Sequence, residues 1–426
     1  MGELARLHPY PRARWLFRAL GVLCFLTFQE LALRAVFPLP ELIDFDRVNY
    51  SPLALAPNAA GATSLGHASF RVASDPDGLE FVHRLNLYGF RDRDWRLGRD
   101  PGRIRVAFVG DSIVEGFMAR AEDAIPSGFA AAARERGLPI ETLNLGVSAA
   151  DLPEYFRLIR DSVPLFQPAD LILFLYPNDF RAAPYDSAWL AEPRVVRRPT
   201  PWAPRLLYVL QALREGRRLP RRWTERPFPF FSPAPHPSNP WSDPERARRF
   251  RSFVDPGIAE AMERGRFNPF AVDALRRYES VLLEPQDLSR HLEALAGFLA
   301  GPGTRLHVVY VPTRHQVSDR YRSSERRFAL PPRSESFMGA RHQRQARALL
   351  GTCRELGIPC LDLTPLLRSV EADGERLFHR YDEHMTGAGY RLVSRTVFDW
   401  WRSEADSGAA PDRSAGATGA RSRYTP

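Results

Sequence analysis

An α/β domain built on a parallel sheet is what this sequence predicts, and three observations predict it. Short apolar runs rich in β-branched residues recur at Ile104–Val109, Ile140–Leu145, Asp170–Tyr176, Leu306–Val311 and Cys360–Leu363. Such runs mark strands buried on both faces, as parallel sheets require. Amphipathic helical patterns separate them, which is the alternation that βαβ units produce. The first three runs end in Gly110-Asp111-Ser112, in Gly146 and in Pro177-Asn178-Asp179. Open α/β sheets build their sites beyond such carboxyl ends.

Taken in order, residues 1–14 form a short basic N-terminus, with Arg6, Arg12 and Arg14 against Glu3. Residues 15–37 are mostly apolar, but their uninterrupted run, Ala19 to Phe28, is shorter than the roughly 20 residues that span a bilayer. Arg18 and Arg34 can snorkel from the ends, leaving Glu30 as the awkward residue. Basic residues ahead of the run predict a cytoplasmic N-terminus. With no small-x-small cleavage site, the segment reads as an uncleaved signal-anchor; a cleaved signal or a buried core helix are the alternatives. Everything after an anchor would lie outside the cytoplasm.

Residues 38–100 read as an extended approach, broken by Pro38, Pro40, Pro52 and Pro57, with short strands at Ser69–Val72 and Glu80–His83 and a turn at Asn86–Asp92. The regular domain is predicted in two pieces, 101–180 and 287–403. Its helices are expected from the first strand to about Arg136, over Leu152–Val163, Pro285–Ala300, Met338–Leu356 and Thr386–Arg402. Between the pieces lies a Pro/Arg-rich insertion, 181–286, with one amphipathic helix in Pro204–Gly216. It is too long for a plain βα connection, and reads as a cap or as an excursion along a membrane. Residues 404–426 have the composition of a disordered tail.

Composition narrows the function. The chain has 426 residues and a net charge of +9, and all 59 basic residues are arginine. No nucleic-acid-binding module accompanies the charge, so no nucleic-acid partner is expected. Three cysteines without Cys-x-x-Cys argue against a zinc ribbon or redox motif. Cys353 and Cys360 flank a helix-to-strand turn, where a disulfide and two buried thiols look alike.

Four places at element ends carry chemistry: Ser112, Gly146, Asn178 and the pair Asp382/His384. A serine esterase needs this constellation. Ser112 would attack an acyl carbonyl, His384 would take and return the proton, and Asp382 would orient the imidazole. The backbone N–H groups of Ser112 and Gly146 and the Asn178 amide are candidate oxyanion donors, each worth about 2.7–4 kcal/mol in a transition state. Asp111, Tyr176 and Arg314 are candidate substrate contacts, Arg314 being equally suited to a surface salt bridge. His379 with Asp382 and His384 lacks metal-ligand spacing, so no metal is expected. Ser148 falls short of Gly-x-Ser-x-Gly.

These blocks resemble the SGNH hydrolases, also called the GDSL family. Ser112 lies in Gly-Asp-Ser, Gly146 in Asn144-Leu145-Gly146-Val147, Asn178 in Asn178-Asp179 and His384 in Asp382-Glu383-His384, in the family's order. Arg91 after Asn86-Leu87-Tyr88-Gly89-Phe90, Glu122-Asp123-Ala124 and Gly389-Tyr390 look like extracytoplasmic bacterial members. The resemblance spans roughly residues 84–180 and 287–402. It departs in two places: Tyr176 replaces the glycine of Gly-x-Asn-Asp, and Tyr381 holds the aspartate position of Asp-x-x-His. The resemblance implies a flavodoxin-like three-layer sandwich carried by the N-terminal anchor, facing the periplasm from the bacterial inner membrane. It implies acyl-ester hydrolysis through acyl-Ser112 without a cofactor, on a small ester, a lipid or an acylated glycan. Two alternatives stand: O-acyl transfer to cell-surface glycans, and a non-catalytic glycan-binding module.

Overall fold

The computed structural model describes residues 11–36, 69–74, 79–98 (except Leu87), 100–148, 150–181, 185–190, 225–227, 244–252, 254–264, 288–328 and 335–406, with Leu206, Leu207 and Leu210. The helix expected over Pro204–Gly216 otherwise lies outside the described residues, as do the tail beyond Asp406 and most of the insertion.

Helix α1 (Pro11–Val36) carries a 19-residue stretch, Trp15–Leu33, long and apolar enough to cross a membrane by length and composition. None of that stretch is buried against the rest of the chain. Strands β1 (Ser69–Ser74) and β2 (Leu79–Arg84) pair antiparallel, as the two short alternating runs predict.

The main domain follows: β3 (Ile104–Gly110), α2 (Ser112–Glu115), α3 (Ile125–Glu135), β4 (Ile140–Gly146), α4 (Leu152–Phe166) and β5 (Asp170–Leu175). Next come the insertion's β6 (Glu225–Pro227), α5 (Pro244–Arg251) and α6 (Pro256–Glu263). The domain resumes with α7 (Ser289–Ala300), β7 (Arg305–Tyr310), α8 (Arg314–Val317), α9 (Arg344–Glu355), β8 (Cys360–Asp362), α10 (Thr364–Ala372) and α11 (Gly387–Asp406).

Five strands form one parallel sheet in the order β4-β3-β5-β7-β8. This is the doubly wound order in which the chain reverses direction between β3 and β5, leaving a crevice at their carboxyl ends. Side chains alternate across the strands. Ala107 and Val109 face a layer of α4, α7 and α9, whereas Val106 and Phe108 face α3, α10 and α11. Phe129 of α3 locks the second layer, with ring centroids 5.0 Å from Phe108 and 5.1 Å from Phe398. The fold is the predicted three-layer α/β sandwich.

Four local differences matter. The helix expected from Ser112 to about Arg136 is two, because Gly116 closes α2 in the left-handed region (φ +78°), which glycine adopts without steric cost. The end of the approach segment joins the core, with Tyr88, Phe90 and Trp95 buried against the sheet, while residues 38–68 lie outside the described residues. Helix α10 follows β8 where no helix is expected, although Thr364-Pro365 places proline in its first turn. The insertion contributes β6, which pairs parallel with β1 and completes a second sheet, β2-β1-β6. Cys353 and Cys360 are free thiols.

Candidate active site

The two strands flanking the crevice deliver their ends to one place. Beyond β3, the Asp111 carboxylate caps α2 by accepting the Ile113 N–H (2.9 Å), the usual role of aspartate at a helix start. Ser112 follows, half-buried. Helix α2 is a single turn, so the helix dipole at Ser112 is small.

From the opposite end of the chain, the loop before α11 brings His384 to Ser112. His384 Nε2 lies 2.7 Å from Ser112 Oγ, and His384 Nδ1 bonds Asp382 Oδ1. A carboxylate only accepts, so Nδ1 carries the proton and Nε2 is free to accept from the hydroxyl. The same Asp382 oxygen accepts the His384 backbone N–H (2.9 Å), closing a tight ring over two residues. Asp-x-His thus brings both side chains together without the Asp-x-x-His spacing, and Tyr381 is a buried neighbour.

Electrostatics follow from burial and pairing. Burial alone would raise the Asp382 carboxyl, but the His384 charge and its hydrogen bonds outweigh burial and hold it at about 2. Burial opposes charging of His384, yet Asp382, then Glu383 and Asp111, raise its pKa above the ordinary value. Asp111 is pushed up to about 6 by burial, against the Ile113 N–H, the His384 charge and a hydrogen bond from the Asn178 side chain. Asp179 is raised well above its ordinary value, first by burial and then by Asp111. It accepts from Tyr155 Oη (3.0 Å) and from the Tyr176 N–H (2.8 Å), fixing the turn that presents Asn178.

The remaining predicted residues divide. Asn178 is exposed at the end of β5 and reaches Asp111. Gly146 lies beside Gly110, but its N–H donates to Asn144 Oδ1 (3.0 Å). A Cβ there would stand 2.2 Å from Glu115 N, so β4 and α2 touch backbone to backbone. Close approach, rather than donation, is what the structure asks of this glycine. Asp111 and Tyr176 are buried.

Arg314 is neither a surface salt bridge nor an exposed contact. It is buried, and its Nη1 donates to the carbonyls of His379 (3.0 Å), Arg380 (2.9 Å) and Asp382 (2.9 Å). Arg91 does the same for the serine turn, donating to the carbonyls of Glu115 (3.4 Å), Gly116 and Ala119 (2.6 Å). Ser148 gives both its N–H (3.0 Å) and its hydroxyl (2.6 Å) to the buried Glu115 carboxylate. His379 points Nε2 at the Met118 carbonyl (2.8 Å), and no group of three or more metal-ligating side chains occurs among the described residues. Sequence reasoning missed Glu115, His83, Phe117 and Asp179. Of these, Asp179 had a signal, since it adjoins Asn178.

The switch point of this doubly wound sheet thus holds a hydrogen-bonded Ser-His-Asp row, the arrangement of side chains that acyl chemistry at a serine uses. Residues 275–423, just over a third of the 426-residue chain, match the family described as an SGNH hydrolase-like domain of the acetyltransferase AlgX. The chain carries an SGNH hydrolase-like domain. The matched stretch holds Asp382 and His384; Ser112 lies upstream of it.

Among solved structures, the chain is similar to a two-domain esterase (CEX) active on acetylated mannans, at 10% identity and a TM-score of 0.32. That match covers 74% of this chain and 53% of that one, so the chain spans about half the esterase's length. A lipase/acylhydrolase from Enterococcus faecalis matches at 11% identity and TM-score 0.34, over 71% of this chain and 96% of that one. An acetyl xylan esterase, AlAXEase, matches at 11% identity and TM-score 0.33, over 70% and 98%.

Proposed function

We propose that the protein is a membrane-anchored O-acyltransferase that moves an acyl group, by way of acyl-Ser112, to a hydroxyl of a cell-surface glycan. The observation that carries the reading is the match of residues 275–423 to an acetyltransferase family, taken with the 2.7 Å contact between His384 and Ser112. In the first half-reaction Ser112 Oγ attacks the donor carbonyl while His384 Nε2 takes its proton. Asp382 holds Nδ1–H and stabilises the imidazolium. The oxyanion accepts from the Ser112 N–H and the Asn178 amide, which Asp111 orients through its other hydrogen. His384 then protonates the leaving group. In the second half-reaction the glycan hydroxyl gives its proton to His384 and attacks the acyl carbonyl, and His384 returns that proton to Ser112 Oγ as the acyl–serine bond breaks. No step requires a cofactor.

Ester hydrolysis is the second reading, in which water replaces the glycan. It is supported by the exposure of Asn178 and the partial exposure of Ser112, which leave the acyl group within reach of solvent. We assign α1 as the anchor.

The test uses the full-length chain in detergent. A fluorophosphonate should label Ser112 and fail in Ser112→Ala and His384→Ala. p-Nitrophenyl acetate turnover should accelerate with an oligosaccharide acceptor and yield acetylated sugar. Turnover without sugar acetylation across neutral and acidic oligosaccharides would favour hydrolysis. No labelling of folded protein would remove both readings and leave a glycan-binding module.

A further inference from the structure

The small sheet β2-β1-β6 lies outside the catalytic row, yet one face of β2 reaches into it. His83, fully buried, places Nδ1 3.2 Å from Glu115 Oε1, and the other carboxylate oxygen of Glu115 holds Ser148. The same imidazole meets the Phe117 ring edge-on at 5.4 Å between centroids. Phe117 packs in turn on His384 at 4.7 Å. Two residues earlier on the strand, and therefore on the same face, Phe81 meets the His379 ring at 6.3 Å. So β2 touches the serine turn and the histidine loop together.

The sheet's far strand comes from the insertion. Strand β6 pairs with β1 over Ser69↔Glu225, Phe70↔Arg226 and Arg71↔Pro227. Within a packed core, displacement of one strand moves its contacts in discrete steps. We propose that His83 is a positioning residue: it sets the serine turn through Glu115 and the His384 ring through Phe117, and it thereby couples the insertion, through β6 and β1, to the catalytic geometry. The proposal rests on the reading of Ser112, His384 and Asp382 as a catalytic row.

Two variants separate the arms. His83→Asn keeps an N–H near the Nδ1 position and removes the ring from Phe117. His83→Phe keeps the ring and removes the bond to Glu115. With p-nitrophenyl acetate and the full chain in detergent, His83→Ala should lower kcat about 10–100-fold, the cost of a small misplacement of reacting groups, with KM within about twofold. His83→Asn and His83→Phe should each fall between it and the native enzyme. Arg226→Pro, which removes a backbone N–H from β6, should lower kcat in the native chain yet add less than about twofold on top of His83→Ala, because coupled sites are non-additive.

Hydrogen exchange of the 376–386 and 145–151 segments gives a readout independent of activity. Faster exchange in both segments of His83→Ala is expected. Unchanged kcat, or unchanged exchange in a folded His83→Ala, would overturn the positioning role. Full additivity with Arg226→Pro would overturn the link to the insertion. A native chain that neither labels nor turns over would refute the acyl-enzyme reading instead, and the exchange experiment would still decide whether His83 braces both loops.

Discussion

The serine turn and the histidine loop are each gathered around a buried arginine, and the two arginines are balanced differently. Arg91 sits in the field of carboxylates: burial lowers its pKa, while Glu115, Glu122 and Asp123 oppose that. Arg314 makes no ion pair among the described residues. It rests against three carbonyls and the face of Tyr321, 5.5 Å from its guanidinium carbon. Both arginines therefore gather backbone carbonyls, but Arg91 does so within the field of Glu115, which also ties in Ser148 and His83, whereas Arg314 is a cation on backbone dipoles and an aromatic face. Redundancy makes the serine turn a stability element. The histidine loop carries the ring that faces Ser112, so the side chain that gathers its carbonyls sets the position of His384.

The largest effects should fall on the row that both loops serve. Ser112→Ala and His384→Ala should each bring esterase turnover to background, a loss of about 10⁶-fold, and combining them should add nothing, because the two act as a unit. Asp382→Asn should cost about 10⁴-fold, since it leaves the ring in the wrong tautomer. His384 must be neutral to accept the serine proton, so native kcat/KM should rise with pH on a limb above the ordinary histidine value. Asp382→Asn should shift that limb downward, because Asp382 is the chief group raising it. A limb that stays in place would break the assignment of Asp382.

The arginines come next and test the contrast itself. Arg314→Met should reduce kcat about 100-fold by releasing the loop that sets His384 against Ser112. No carboxylate substitution should rescue it. Arg91→Met should act first on stability, by about 1–3 kcal/mol, because it removes the donor to buried carbonyls and a cation from the field of the Glu115 charge. Glu115→Gln keeps the acceptor for Ser148 and removes that charge, so Arg91→Met/Glu115→Gln should recover part of the loss in a denaturant titration. An unrescued double variant would mean that the carbonyl contacts, not the charge, are what Arg91 contributes.

What was legible in the sequence was what local pattern determines. Strand alternation, the carboxyl-end turns and the spacing of Asp382 to His384 each sit within a few residues, and the sheet order then brings Ser112 and Asn178 to one crevice. The rest depends on contacts over long separations. Arg314 reaches a loop more than sixty residues on, so nothing near it in sequence distinguishes a loop clamp from a surface ion pair. Gly146 reads as a donor because the direction of its N–H is set by the Asn144 side chain. The break at Gly116 is hidden because apolar residues continue on either side of it; the left-handed turn is fixed by Arg91 gathering carbonyls from outside the segment. Buried Glu115 looks like any first-turn acid until its partners His83 and Ser148 arrive from other elements.

The smallest effect separates the loops by the sign of a carboxylate. Asp382 is lowered to about 2 in the fold, so its ionisation supports the histidine loop above the unfolded value of about 3.9, and that support fades as pH falls toward 2. Asp111 is raised to about 6, so the folded chain binds its proton more tightly than the unfolded chain does. Stability contributed by that proton is lost as pH climbs from about 4 to 6, and it stays lost above. Asp111→Asn removes the buried charge and keeps an oxygen for the Ile113 N–H, because asparagine caps helices as well as aspartate does. Its thermal midpoint at pH 8 should therefore rise, by an amount equivalent to about 1–2 kcal/mol, and the gain should vanish near pH 4. Turnover should fall about tenfold, because a neutral amide holds the Asn178 side chain less firmly than a carboxylate. A variant that gains stability without losing turnover would detach Asp111 from Asn178's role at the oxyanion. One that loses stability at pH 8 would show that the Asp111 charge is a support of the serine turn, as Asp382 is of the histidine loop.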